Sequence, residues 1–244
     1  GCLYVDGTFG ARTAALSFQY ADCPGTMGSL LLTQQEINDF VLNCYKNNLQ
    51  LALYTIGDRA IEMAINAHEN AFYQTGIIGL RHRLEHAELI NEKQIQRAKE
   101  LGILLSMQPS YETYWGGPGK MYEQRLGDKY ILTNPFKEII EKGVIICGGS
   151  DSDVTEPRPL LGIHSAVNHP VVKHRVDIYE ALKMFTCNGA YGIFQEKNKG
   201  TLSVGKTADI LILDRDILLV PSDQIEKARV RVTIKSGETL YSNL

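Results

Sequence analysis

Short apolar runs recur along the chain at a regular pitch. Leu3 to Val5, Gln50 to Ile56, Leu80 to Leu84, Ile103 to Met107 and Val144 to Cys147 each read as a short buried strand. Between them lie segments with helical spacing and helix-start chemistry. Thr33 to Glu36 is a capping-box pattern, Asp58 opens RAIEMAINAHENAF, Asn91 opens EKQIQRAKE, and Asn134-Pro135 opens FKEIIEK. Gly102 and Gly143 each stand just past a helix and just before a strand, the left-handed stop of an α-to-β turn. Strand and helix in alternation predict an α/β fold with a mostly parallel sheet. Beyond the fifth run, Ile178 to Phe185 reads as an amphipathic helix. From Gly200 the pattern turns β-like, with strands over Ala208 to Asp214 and Val230 to Ile234, around Gly205 and Gly237.

Composition narrows the class. Of 244 residues, 44% are hydrophobic and 22% charged, the balance of a globular chain able to bury a sizeable core. A net charge of −3 and the lack of any Lys/Arg run give no footprint for nucleic acid. Cys2, Cys23, Cys44, Cys147 and Cys187 are odd in number and contain no C-x-x-C pair, so they read as the reduced thiols of a cytoplasmic protein. No apolar run reaches the roughly 18 residues needed to span a bilayer, and neither a signal peptide nor a membrane partner is expected from the pattern. The chain opens on Gly1 rather than Met, which suggests a truncated start.

In parallel α/β architectures the working residues gather where strands end and helices begin. Asp6 and Arg12 follow the first strand, as a site pair or as a turn with a surface ion pair. Tyr54 and Asp58 close the second, Asp58 as a site acid or a helix N-cap. In Arg81-His-Arg-Leu-Glu-His86, alternation sends Arg81, Arg83 and Glu85 to one side and His82, Leu84 and His86 to the other. His86 closes that strand beside a carboxylate able to orient the ring, whereas His82 and Arg83 suit a pocket wall or a structural role equally. Gln108 ends the fourth strand. The Gly-rich stretch from Tyr111 to Asp128, holding Tyr114 and Trp115, reads as an unstructured loop over the substrate. Asp151 follows the fifth strand and two glycines, placed to bind a metal, take a proton from water or cap a helix. His164, His169 and His174 suit solvated or packing roles.

Taken in order, Asp6-Gly-Thr-Phe-Gly-Ala-Arg-Thr-Ala, Ile56-Gly-Asp-Arg-Ala, Arg81-His-Arg-Leu-Glu-His, Gln108-Pro, Gly149-Ser-Asp, Pro159-Leu-Leu-Gly-Ile and Gly205-Lys-Thr-Ala-Asp-Ile resemble the amidohydrolase superfamily, specifically its YtcJ-like metal-dependent hydrolases related to N-substituted formamide deformylase. The resemblance implies the C-terminal portion, strands four to eight, of a metal-dependent hydrolase (β/α)8 TIM barrel over residues 1–198. Residues 199–244 would be a small β segment of a composite β-sandwich. It implies a divalent metal, zinc by preference and one ion at most, that activates water. Asp151 would be ligand and base, and His86 a ligand. The reaction implied is hydrolysis of a C–N bond in an amide, formamide or cyclic amide, with Asp6, Arg12, Tyr54, Asp58, Arg83 and Gln108 around the small-molecule substrate.

The departures from the family pattern sharpen this picture. The His-x-His of barrel strand one is absent among His68, His82, His86, His164, His169 and His174. Five strands cannot close an eight-stranded barrel, so the missing N-terminal half of the same protein, or another subunit, is an expected partner, and a homo-oligomer is a further option. Tyr54 stands where the family has a ligand His, and a phenol of pKa about 10 binds zinc poorly. Cys2 stands where many relatives carry the bridging modified Lys. These two changes motivate the alternative of a catalytically impaired binding or regulatory protein.

Overall fold

The computed structural model describes residues 2–243, without the side chain of Cys2. The expectations placed on Gly1 and on the Cys2 thiol fall outside the described residues. Five strands form one parallel sheet in sequential order: β1 (Cys2–Tyr4), β2 (Ala52–Thr55), β3 (Arg83–His86), β4 (Leu104–Met107) and β5 (Ile146–Gly148). The parallel sheet expected from the apolar runs is therefore present. The third strand starts later than the run Leu80 to Leu84 suggests, because Gly79 and Arg81 both adopt positive φ and keep the chain turning until Arg83.

Register lines the strands up in rows. Leu3, Leu53, Leu84, Leu105 and Ile146 pair across the sheet, and the last four are fully buried. The next row, Tyr4, Tyr54, Glu85, Ser106 and Cys147, occupies the opposite face and is more polar. Helices α1 (Gln34–Lys46), α2 (Asp58–Thr75), α3 (Glu92–Glu100) and α6 (Phe136–Glu141) fill the crossovers. Since β-α-β crossovers are right-handed, sequential strand order puts the crossover helices on one face, over the leucine row. Their buried side chains, Ile37, Val41, Ile61, Ile65, Ile95 and Ile139 among them, complete one core with that row.

Local chemistry sets the helix ends. Thr33 and Asn91 make full capping boxes with Glu36 and Gln94. Gly102 and Gly143 take φ of +65° and +78°, the left-handed stops expected of them. The stretch from Tyr111 onward is not an open loop: it folds as α4 (Ser110–Tyr114), α5 (Met121–Leu126) and a 3-10 turn over Gly127–Leu132. Tyr111, Tyr122 and Leu126 are buried there with Phe9, Leu16, Tyr20, Ile56 and Leu89 in a second core above the strand ends. The apolar residues hidden by its glycines and charges are what fold it.

After β5 come α7 (Pro159–Val167), α8 (Ile178–Met184) and α9 (Cys187–Gly192), then a separate antiparallel sheet of β6 (Ile210–Leu213), β7 (Val230–Lys235) and β8 (Glu238–Ser242). The last strand has no counterpart in the sequence pattern because every residue of it is exposed, which removes the alternation of a half-buried strand.

One buried carboxylate joins these parts. Asp6, with no exposed surface, accepts backbone N–H groups from Ala15 (2.8 Å), Ile56 (3.0 Å) and Gly57 (2.8 Å). Burial pushes its carboxyl up to about 6 against the pull of those three donors. Asp6→Asn turns a donor toward N–H groups that need an acceptor, at a cost on the order of 3 kcal/mol. A urea titration is expected to show a lower midpoint with unchanged slope; an unmoved midpoint would contradict the role.

The His174 ring is buried edge-on against His169, its Nε2–H donating to the Ile131 carbonyl (2.9 Å), with His169, Lys173 and Glu112 as its titratable neighbours. Burial lowers it to about 4. Between that value and the ordinary pKa of about 6.5, the unfolded chain holds a proton that the fold does not. The stability contributed by neutral His174 is therefore present above about 6.5 and lost as pH falls toward 4, by up to about 1.4 kcal/mol per pH unit. Buried Asp6 and Glu88, both with raised values, act in the opposite sense, so the readout is a difference. Thermal midpoints of His174→Gln are expected to fall less than those of the unmodified protein between pH 6.5 and 4; parallel curves would refute the assignment.

Candidate active site

The C-terminal strand ends converge on His86. The backbone turns left-handed at His86 (φ +69°) and Ala87 (φ +49°), which ends β3 and brings the imidazole against Tyr54, a residue of the opposite face, at a ring separation of 4.4 Å. Tyr111 stacks on its other side at 6.0 Å, and Trp115 meets Tyr111 edge-on at 4.4 Å. His86 Nδ1 is buried without a hydrogen-bond partner. Burial lowers the ring's pKa, while the negative charge of Asp151 pulls it back up.

Asp151 lies just past β5 at φ +54° and accepts a short hydrogen bond from the Tyr111 hydroxyl (2.5 Å). Its own carbonyl accepts the N–H groups of Val154 (2.7 Å) and Thr155 (3.3 Å), so the turn is fixed from within. Gln108 donates to the Ser106 carbonyl (3.3 Å) and leaves a buried amide oxygen without a partner. The rim thus gathers Tyr54, His86, Gln108, Tyr111 and Asp151: an unpartnered imidazole nitrogen, a carboxylate held by a phenol, and an unpartnered amide oxygen. Burial keeps the Tyr54 and Tyr111 hydroxyls protonated, with pKa values pushed up from the ordinary phenol value.

Other residues expected around a substrate are placed elsewhere. Asp6 has both oxygens on backbone N–H groups and no exposed surface, so it holds strand ends and does not face a ligand. Arg12 forks onto Asp22 at 3.0 and 2.8 Å, a surface ion pair whose acid is Asp22 rather than the buried Asp6. Asp58 is the first helical residue, with Gly57 as N-cap, and accepts the Ser17 N–H (2.9 Å). Arg83 pairs with Glu85 (2.8 Å) and reaches Gln50 (3.3 Å) on the polar sheet face. His82 sits before β3 begins, stacked on Tyr45 at 4.4 Å and accepting the Leu51 N–H (3.2 Å), away from the rim.

Two residues at the strand ends escaped the sequence reading. Tyr111 looked like the start of a loop; its place three residues after Gln108 was the available signal. Glu88, two residues past His86, is fully buried, receives the Tyr122 hydroxyl, and accepts the Asn134 N–H at its carbonyl (2.7 Å). Burial raises its carboxyl to about 8, so it is protonated at neutral pH and straps α5 to the end of β3. A carboxylate inside Ala87-Glu-Leu-Ile90 was its signal.

A catalytic zinc site takes three protein ligands and keeps an open position. His86 and Asp151 are suitable donors, a neutral imidazole with a free nitrogen and a carboxylate. Among the described residues no group of three or more His, Cys, Asp or Glu is arranged to hold a metal, so further ligands would have to come from outside them. Among the described residues no helix is long and apolar enough to cross a membrane.

Comparison with known proteins agrees with the motif order. A family model described as "Amidohydrolase family" matches residues 2–241. YtcJ of Bacillus subtilis is 30% identical over 98% of this chain and 46% of its own length. N-substituted formamide deformylase of Arthrobacter pascens is 26% identical over 98% and 45% respectively. The crystal structure of an uncharacterized metal-dependent hydrolase from Pyrococcus furiosus superposes with a TM-score of 0.76 at 32% identity, over 89% of this chain and 44% of that one. The chain spans less than half the length of these relatives. On the match over nearly its whole length, the chain belongs to the amidohydrolase family.

Proposed function

We propose that this chain carries the Asp151 side of a metal-dependent hydrolase centre that cleaves a C–N bond in an amide, formamide or cyclic amide. The observation that carries this reading is the buried, unpartnered His86 Nδ1 on the same rim as Asp151. An orphaned polar atom in a native interior calls for a partner, and imidazole nitrogen and carboxylate oxygen are donors that a divalent cation takes. The relatives' printed names, a deformylase and a metal-dependent hydrolase, point the same way.

The sequential, all-parallel strand order supports reading the sheet as strands four to eight of a (β/α)8 barrel, with residues 199–244 as its β-sandwich segment. The remaining strands would come from the rest of a longer protein or from a partner chain.

His86 and Asp151 would hold the metal, zinc by preference, which when bound lowers the pKa of a water and polarises the scissile carbonyl. Asp151 takes the proton of the attacking water at its carboxylate and passes it to the departing nitrogen. Tyr111, already donating to that carboxylate, fixes its orientation. Gln108 offers its unpartnered oxygen to a substrate N–H. Tyr54, Tyr111 and Trp115 line the approach with apolar ring surface and keep water off the reacting atoms.

A second reading, a binding or regulatory protein without catalysis, rests on Tyr54, whose protonated phenol stands against His86 where the family carries a ligand His. Hydrolysis of an amide and formamide panel by the full-length protein, with metal content measured on the same samples, separates the two. Under the hydrolase reading Asp151→Asn lowers kcat/KM by about 10²–10⁴-fold. Tyr111→Phe, which keeps the ring and loses the hydrogen bond to a charged group, lowers it about tenfold or more. A metal-free protein inert on the whole panel, or activity untouched by Asp151→Asn, would favour the second reading.

A further inference from the structure

A cavity of about 190 Å³ lies between α4 and α7, lined by Glu112, Thr113, Gly116, Lys120, Ser165 and Asn168, with Pro170 as an apolar wall. Neither His86 nor Asp151 lines it. Glu112 is buried, its side chain only 1% exposed, yet it is a carboxylate. Thr133 Oγ1 (3.1 Å) and Asn134 Nδ2 (2.7 Å) both donate to its Oε1, and His169 Nε2 stands 3.5 Å from the same oxygen. The His169 ring accepts the Val171 N–H at Nδ1 (3.0 Å), which leaves Nε2 as its donor. None of these contacts falls on Oε2. That atom faces Gly116, where an added Cβ would come within 1.8 Å of it. The absent side chain of Gly116 leaves room for Oε2 at the cavity wall.

A carboxyl oxygen without a partner at a cavity wall suits a cationic donor, and the one Lys or Arg side chain in the lining is not paired with it. Lys120 is exposed and donates to the Thr113 carbonyl (2.5 Å), with no ion pair to Glu112 among the described residues. Two opposite charges therefore line one cavity without meeting, with the hydrogen-bonded hydroxyls of Thr113 and Ser165 (2.6 Å apart) between the helices. The volume equals that of about six waters at ~30 Å³ each.

We propose that this cavity binds a small zwitterion of the α-amino-acid class, its ammonium on Glu112 Oε2 and its carboxylate on Lys120 Nζ. Both contacts are charge-assisted hydrogen bonds, and glycine and alanine fit within the volume of the cavity. The inference is independent of the hydrolytic reading, since the lining shares no residue with the rim.

Isothermal titration of the protein with glycine and L-alanine tests it, with ethylammonium and propionate as probes bearing one charge each. Saturable binding is expected for the two amino acids, at least about tenfold weaker for either single-charge probe. Lys120→Met, at an exposed position, keeps the fold and is expected to weaken L-alanine binding at least tenfold; Gly116→Ala, which screens Oε2, does the same. Glu112→Gln is expected to abolish binding, with circular dichroism confirming its fold, and the other two variants decide the matter if it fails to fold. No saturation by either amino acid, ethylammonium binding as tightly as L-alanine, or an unchanged affinity in Lys120→Met would overturn the proposal.

Discussion

The Asp6 carboxylate fixes the end of β2, because its three backbone donors belong to two separate chain segments. Ala15 lies in the long excursion after β1, while Ile56 and Gly57 form the turn from β2 into α2. Clamping both to the end of β1 brings the backbones so close that a Cβ at Gly57 would meet the Ala15 carbonyl at 2.1 Å, which is why glycine caps α2. The same carbonyl then accepts the Arg59 N–H (3.1 Å), and Asp58 takes that of Ser17 (2.9 Å). A buried anion surrounded by N–H groups is high-stakes: fully satisfied it rigidifies, partly satisfied it costs. Here it fixes Tyr54 and Thr55, and with them the wall against which His86 packs.

His86 and Asp151 both sit at positive φ, a region in which side-chain-bearing residues are uncommon and cost on the order of 1–3 kcal/mol each. Such conformations persist only when the surroundings over-determine them. For Asp151 the Val154 and Thr155 N–H groups and the Tyr111 hydroxyl do so. For His86 the Ala87 N–H reaches back to the Thr55 carbonyl (2.7 Å), and Tyr54 and Tyr111 enclose the ring. Arg12, Asn48, Arg81, Asn134, Phe194 and Ser236 also adopt positive φ, so what sets His86 and Asp151 apart is their place at strand ends of one sheet, with Tyr111 in contact with both.

The parallel sheet was legible because a strand buried in an α/β core reads as a continuous apolar run, and Leu53, Leu84, Leu105 and Ile146 are such positions. The capping boxes at Thr33 and Asn91 were legible because they depend on residues three apart. What depends on long-range burial was not. Ser110 to Leu132 folds only because Tyr111, Tyr122 and Leu126 find Phe9, Tyr20 and Leu89, each far away in sequence. Asp6, Arg12 and Asp58 drew attention as charged residues at strand ends, but charge alone cannot distinguish a side chain aimed at a ligand from one aimed at backbone N–H groups. Glu88 and Glu112 passed unnoticed for the converse reason, since nothing local marks a carboxylate as buried.

Helix α4 ties the rim to the cavity behind it. Its five residues form little more than one turn, too short to hold its shape by its own hydrogen bonds. Consecutive residues on a helix point about 100° apart, so Tyr111 meets Asp151 while Glu112 turns to the α7 side. Thr113 then bonds Ser165 on α7 (2.6 Å), and Trp115 packs back on Tyr111. The orientation of the phenol that holds Asp151 is thus set by contacts on the far side of the same turn. A ligand that draws Glu112 and Lys120 together would bear on this turn directly, and through Tyr111 on the carboxylate, with no larger motion of the sheet required.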